Sequence, residues 1–152
     1  MKSIIRSGLP LLLLGLCAPS AATLGEDVES VRVDQAQLEA ALEVTGAAGF
    51  SVHLMRLPSG TVVKEYVSPS GIVFAISWQG PTLPDLRQVL GRYFEQYVAT
   101  VRSPDIGSGS RRTQSTQGSG LVVQSGGHMR AFFGRAYLTQ LLPRGVLPEE
   151  IQ

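Results

Sequence analysis

The chain of 152 residues holds one cysteine, Cys17. An internal disulfide and any metal site built on several cysteines are thereby excluded. Histidine is almost as scarce, with only His53 and His128. A mononuclear zinc site takes about three or four protein ligands, and no His-x-x-x-His or His-Glu pair is present. No metal site and no cofactor are expected. Charge is sparse as well: Asp, Glu, Lys and Arg make up 16% of the chain and sum to +1. So even a balance gives no overall field that would draw nucleic acid or an anionic membrane. Neither a Gly-x-Ser-x-Gly elbow nor a Gly-rich phosphate loop between strand and helix occurs. Gly107-Ser-Gly-Ser-Arg-Arg reads as linker.

What is present begins at the N-terminus. Lys2 and Arg6 precede an apolar run, Leu9–Ala18, and small residues follow, ending Ser20-Ala21-Ala22. This is the three-part layout of a secretory signal peptide. The run is about 10 residues long, and a helix spanning a membrane needs roughly 20. Residues 1–22 are therefore read as a cleaved leader, and the working protein as exported, to the periplasm or the medium. No transmembrane helix is expected in the mature chain. Cleavage removes Cys17, Lys2 and Arg6, which leaves 11 basic against 12 acidic residues, a net of −1. Cys17 as a lipid-attachment site is the alternative. Leu16 argues against it, because bacterial lipoprotein signals place a small residue there.

About 130 residues remain, enough for one hydrophobic core without disulfides. Residues 23–152 are expected to form a single α+β domain. Asp34 is read as the cap of a short helix carrying Leu38 and Leu42, stopped by Gly46 and Gly49. Three strands follow at Phe50–Leu57, Val62–Val67 and Ile72–Trp78, the last with Ile72, Phe74, Ile76 and Trp78 on one face. Pro58-Ser59-Gly60 and Pro69-Ser70-Gly71 punctuate them as turns, because Pro fixes φ and Gly accepts positive φ. Spacing this short makes the strands an antiparallel meander. Pro84–Val101 is the clearest helix, with Leu86, Val89, Leu90, Tyr93, Phe94, Tyr97, Val98 and Val101 on one stripe. Thr82 and Asp85 match a capping box before it. Residues 103–120 lack large apolar side chains apart from Ile106 and are expected to form a flexible loop. Gly126-Gly127 is read as a hairpin turn that sets Ser125 opposite His128 and Leu121 opposite Phe132. Tyr137–Leu142 is read as a final helical turn. The fold class is thus an antiparallel meander plus a C-terminal hairpin in one sheet, with an amphipathic helix on one face.

Candidate functional residues are few. Ser125 and His128, as cross-strand neighbours, suggest a small hydrolase as an alternative function, but no acid lies near His128 in sequence. Glu65, Asp85 and Glu95 are the carboxylates available for paired acid chemistry. Asp85 is better placed as a helix cap, and Glu65 sits beside Lys64 on an exposed-looking strand. No catalytic residue is assigned. Trp78 ends its strand and is the aromatic most suited to an edge where something binds. Charge is uneven: Glu26–Glu43 holds six acids against Arg32, and Arg87–Arg144 holds eight arginines against Glu95 and Asp105. Arg111-Arg112, in the expected loop, marks a basic surface for an acidic partner.

Leu57–Leu86, Leu90-Gly-Arg-Tyr-Phe and Ser125-Gly-Gly-His-Met-Arg-Ala-Phe-Phe-Gly-Arg-Ala-Tyr-Leu resemble an uncharacterised proteobacterial family, domain of unknown function 2844. The resemblance covers nearly all of the mature chain and implies a small exported protein of Gram-negative bacteria. It brings no catalytic residues. The reading is a non-catalytic exported domain that binds a protein or envelope component, with Trp78, Arg111, Arg112 and His128 as candidate contacts.

Overall fold

The computed structural model describes residues 24–102, 111–115 and 120–152, with the backbone alone at residues 102 and 111–115. The leader, Cys17 and most of the expected flexible loop lie outside the described residues. The observed order is α1 (Glu29–Gln37), β1 (Ala41–Ala47), β2 (Phe50–Arg56), β3 (Val62–Val67), β4 (Val73–Gly80), α2 (Leu86–Leu90), a 3-10 turn (Gly91–Tyr93), α3 (Phe94–Arg102), β5 (Arg111–Ser115), β6 (Leu121–His128) and β7 (Ala131–Leu138). A 3-10 turn, Pro148–Glu150, follows. The strands form one seven-stranded sheet in the order β1-β2-β3-β4-β7-β6-β5. Every pairing is antiparallel. The architecture is α+β, mostly sheet with some helix. Among the described residues, no helix is long and apolar enough to cross a membrane.

The Pro-Ser-Gly turns form as their chemistry dictates. Gly60 and Gly71 adopt φ of 86° and 81°, where a side chain would be strained. Gly60 N donates to Leu57 O and Gly71 N to Ser68 O, both at 2.9 Å. The long helical stripe also forms, broken at Gly91, so that α2 and α3 lie either side of a 3-10 turn. Val89 and Leu90 are fully buried, and Leu86, Tyr93, Phe94 and Tyr97 pack beside them. Asp85 itself caps α2, accepting from Arg87 N and Gln88 N. Thr82, expected in a capping box, bonds instead to the Thr61 hydroxyl at 2.8 Å.

Several expectations are corrected. Asp34 does not cap a helix; it lies inside α1, and residues from Ala41 onward form β1. Glu39, at φ 50°, turns the chain out of the helix. Pairing with β2 then overrides the helix preference of Ala41–Glu43. Within β4 the expected alternation breaks: Ile76 and Trp78 join the core under the helices, whereas Phe74 joins the opposite cluster. The register shifts there, with Tyr66 opposite Ala75 and Val67 opposite Val73, so Phe74 is an extra, bulged residue. The last hairpin turns at Met129-Arg130, not at Gly126-Gly127, which stay within β6. Leu121 therefore faces Leu138 instead of Phe132, and Val123 faces Ala136. Tyr137–Leu138, expected to be helical, ends β7. Residues 111–115 of the expected loop form β5, paired with β6.

The core has two layers. Between sheet and helices lie Val31, Met55, Val63, Ile76, Trp78, Val89, Leu90, Leu121 and Leu138, none more than 2% exposed. Each large side chain so buried contributes about 1.5–3 kcal/mol. On the other face the C-terminal segment lays Val146 and Ile151 against Tyr66, Phe74 and Tyr137. Phe50, Tyr66 and Phe74 meet there with ring centroids 5.9–6.2 Å apart. Arg135 holds that segment down: its Nη1 donates to Pro148 O and to Ile151 O, and its Nε to Gln124 Oε1 at 2.6 Å.

Candidate functional site

Among the described residues, the C-terminal segment packs over one half of its face, against Tyr66, Phe74 and Tyr137. The uncovered half is crossed by a row of paired residues, Arg56, Val62, Gln79 and Phe133, from β2, β3, β4 and β7. Their alternation away from Met55, Val63 and Trp78 puts them on the face opposite the helices. Phe133 is 44% exposed. Two shallow hollows share Gln79. One, of about 270 Å³, is lined by Leu54, Arg56, Val62, Lys64, Ser77 and Gln152. The other, of about 260 Å³, is lined by Pro81, Arg130, Phe132 and Phe133.

The charges of these linings are one-sided. Arg56, Lys64 and Arg130 contribute cations, and no Asp or Glu side chain lines either hollow. Lys64 Nζ donates to Gln152 O at 2.8 Å, and the Tyr66 hydroxyl donates to the same oxygen at 2.6 Å. The ion pairs among the described residues lie elsewhere, in or beside the helices: Arg32–Glu29, Arg87–Glu95 and Arg92–Glu26. Among the described residues, ion pairs are thus made near the helices, while Arg56 and Arg130 lie in the hollows and Lys64 reaches Gln152 O.

The residues singled out from sequence scatter across this frame. Trp78 does not sit at an edge. It lies on a central strand, 2% exposed, with its indole over Gly134. It touches one hollow only from beneath. His128 is exposed at the end of β6 and opposes Ala131, while Ser125 opposes Gly134. Three positions apart on one strand, the two point to opposite faces, so no Ser–His pair forms. Arg111 and Arg112 are not in a loop but on edge strand β5, opposite Gly126 and Ser125. The register sets Arg111 in line with Gly126, Phe133 and Gln79. Among the described residues, no group of three or more His, Asp or Glu stands where it could hold a metal ion. Sequence reasoning missed Arg56, Lys64, Gln79 and Phe133. Their signal was alternation with buried Met55, Val63 and Trp78, which marks them as sharing the outward face.

Beneath the helices lies a second polar feature. Asp34 on α1 and Glu65 on β3 are both fully buried. Glu65, expected to be solvated, projects under the helices between His53 and Ile76. Gln88 on α2 donates to Asp34 Oδ1 at 3.2 Å. Burial pushes Asp34 up from 3.8 to about 6, against the opposing hydrogen bond from Gln88. Burial also lowers the His53 pKa below its ordinary 6.5.

The chain forms an α+β domain whose sheet is covered by helices on one face and, among the described residues, partly covered on the other. The sequence model of DUF2844, a protein of unknown function, matches residues 20–151, and the chain belongs to that family. Comparison with curated proteins found no match, and neither did comparison with solved structures.

Proposed function

We propose that the chain is an exported, non-catalytic binding module that takes an acidic polypeptide segment on the open half of its sheet. Export rests on the three-part leader of residues 1–22. The observation that carries the binding reading is the set Arg56, Lys64 and Arg130, which line hollows that share Gln79 and have no Asp or Glu side chain in their linings. An extended chain laid across β2, β3, β4 and β7 would set acidic side chains against these cations and apolar ones against Val62 and Phe133. Gln79, shared by both hollows, offers an amide to its backbone.

Random peptides displayed on phage and selected on the mature domain test this. The expected winners combine Asp or Glu with aromatic or aliphatic residues, and lose binding to the Arg56→Glu, Lys64→Glu, Arg130→Glu variant. Two outcomes would overturn the reading: winners that bind the charge-reversed variant equally, or capture by phosphatidylglycerol vesicles with no acidic peptide selected.

A further inference from the structure

The two edges of the sheet differ. β5, at one end, begins with Arg111-Arg112, charges of the kind that keep another strand from pairing there. β1, at the other end, has no such guard. Ala41–Ala47 contains no Pro, Lys or Arg and a single charge, Glu43. It pairs with β2 in seven successive rows without a bulge. Six of its seven residues are exposed, and among the described residues no strand lies on its outer side. The turn at Ala48-Gly49 makes Ala47 and Phe50 a hydrogen-bonded pair, so Ala41, Glu43, Thr45 and Ala47 direct their amides to β2. Leu42, Val44 and Gly46 then turn theirs outward. The side chains of Leu42 and Val44 share the face of Met55, which Leu42 opposes. Val44 is 56% exposed there, and a Cβ on Gly46 would meet nothing within 4 Å.

We propose that β1 is a self-association edge, whose partner is β1 of a second copy, antiparallel about a two-fold axis at Val44. This is the one antiparallel register that pairs all seven residues, and in it the strand is complementary to itself. Val44 meets its own copy, and Ala41 meets Ala47. Leu42 meets Gly46, whose open space takes the larger side chain. Glu43 meets Thr45, so the one charge on the strand avoids its like. Centring on Glu43 would instead set two carboxylates face to face. The outward amides of Leu42, Val44 and Gly46 gain partners, and the exposed Val44 side chains cover each other. With the axis perpendicular to the sheet, each face stays on its own side, and two seven-stranded sheets join into one. The inference does not rest on the peptide-binding reading, because β1 lines neither hollow.

Sedimentation velocity of the mature domain across a concentration series tests this. A monomer–dimer equilibrium is expected, weak because a seven-residue edge is small beside a standard interface. Val44→Lys puts two like charges at the axis and should weaken the dimer by about tenfold or more. Thr45→Lys puts a cation opposite Glu43 of the other copy and should tighten it. Both substitutions add a lysine to the same edge, so their opposite signs separate this register from general repulsion at an edge. Without its leader the chain carries no cysteine, so Val44→Cys offers a single site to a short bis-maleimide. At the axis the two copies of that site stand about 5 Å apart and should cross-link, whereas those of Ala41→Cys stand about 20 Å apart and should not. A wild type that stays monomeric at millimolar concentration would overturn the proposal without reference to any variant. So would a dimer that Val44→Lys leaves unchanged, one that Thr45→Lys weakens as much as Val44→Lys does, or cross-linking as ready at Ala41→Cys as at Val44→Cys.

Discussion

Replacing Asp34 with Asn should stabilise the whole domain at neutral and alkaline pH, and the size of the gain follows from where this carboxyl sits. Asp34 is fully buried, and burial holds its pKa at about 6 rather than 3.8. In the unfolded chain it ionises at the ordinary value, so between these limits the folded state binds more protons than the unfolded one. Stability from this group is therefore complete below about pH 3.8, declines as pH rises to about 6, and stays reduced above. At about 1.36 kcal/mol per pH unit the total loss is about 3 kcal/mol. Asn has the same shape and can still accept from Gln88. Its advantage over Asp should thus grow from nothing near pH 3.8 to about 3 kcal/mol above pH 6. His53 acts in the opposite sense: burial lowers its pKa, so its contribution is full at high pH and declines as pH falls below 6.5. It is present in both proteins and cancels in the difference. Urea unfolding of both proteins at a series of pH values, followed by far-ultraviolet circular dichroism, measures that difference directly. An Asn variant less stable than wild type at pH 8, or a difference that does not change with pH, would refute the reasoning.

Other consequences are more local. A Cβ on Gly134 would stand 2.5 Å from Trp78 Cε2 and 2.9 Å from Gln124 O, so Gly134→Ala should cost about 1–3 kcal/mol and shift the emission of Trp78. Arg135→Ala removes charge-assisted hydrogen bonds to Pro148, Ile151 and Gln124; it should cost about 2–3 kcal/mol and open residues 143–152 to limited proteolysis. If the leader is cleaved as proposed, mass spectrometry of the protein recovered from its own cells should find Thr23 as the first residue. A lipidated Cys17 would contradict the leader reading.

Local chemistry made part of the fold legible. Pro-Ser-Gly announces its own turn, and the Leu86–Val101 stripe announces a helix that must cover a sheet. Partner-dependent features were opaque. Ala41–Glu43 are good helix formers and become a strand only because β2 lies beside them. The bulge at Phe74 depends on the register of β3. Gly126-Gly127 is a sound turn sequence, yet the turn moves to Met129-Arg130 because burying Leu121 and Val123 against Leu138 and Ala136 outweighs it. The carboxyl pair was half visible: Asp34 falls three after Val31 on a helix, and Glu65 alternates with Val63 and Val67. Either spacing places an acid on a buried face. The row Arg56, Val62, Gln79 and Phe133 was out of reach, because it exists only through the register of four strands.

The central claim is that an acidic segment lies across Arg56, Lys64, Gln79, Arg130 and Phe133. Its most direct test is the titration of the ¹⁵N-labelled mature domain with a selected acidic peptide, with amide shifts followed residue by residue. Shifts should concentrate at residues 54–56, 62–64, 77–80 and 130–134, and weaken as salt is raised. Shifts confined to the helices or to β1, or a binding strength indifferent to salt, would contradict the account.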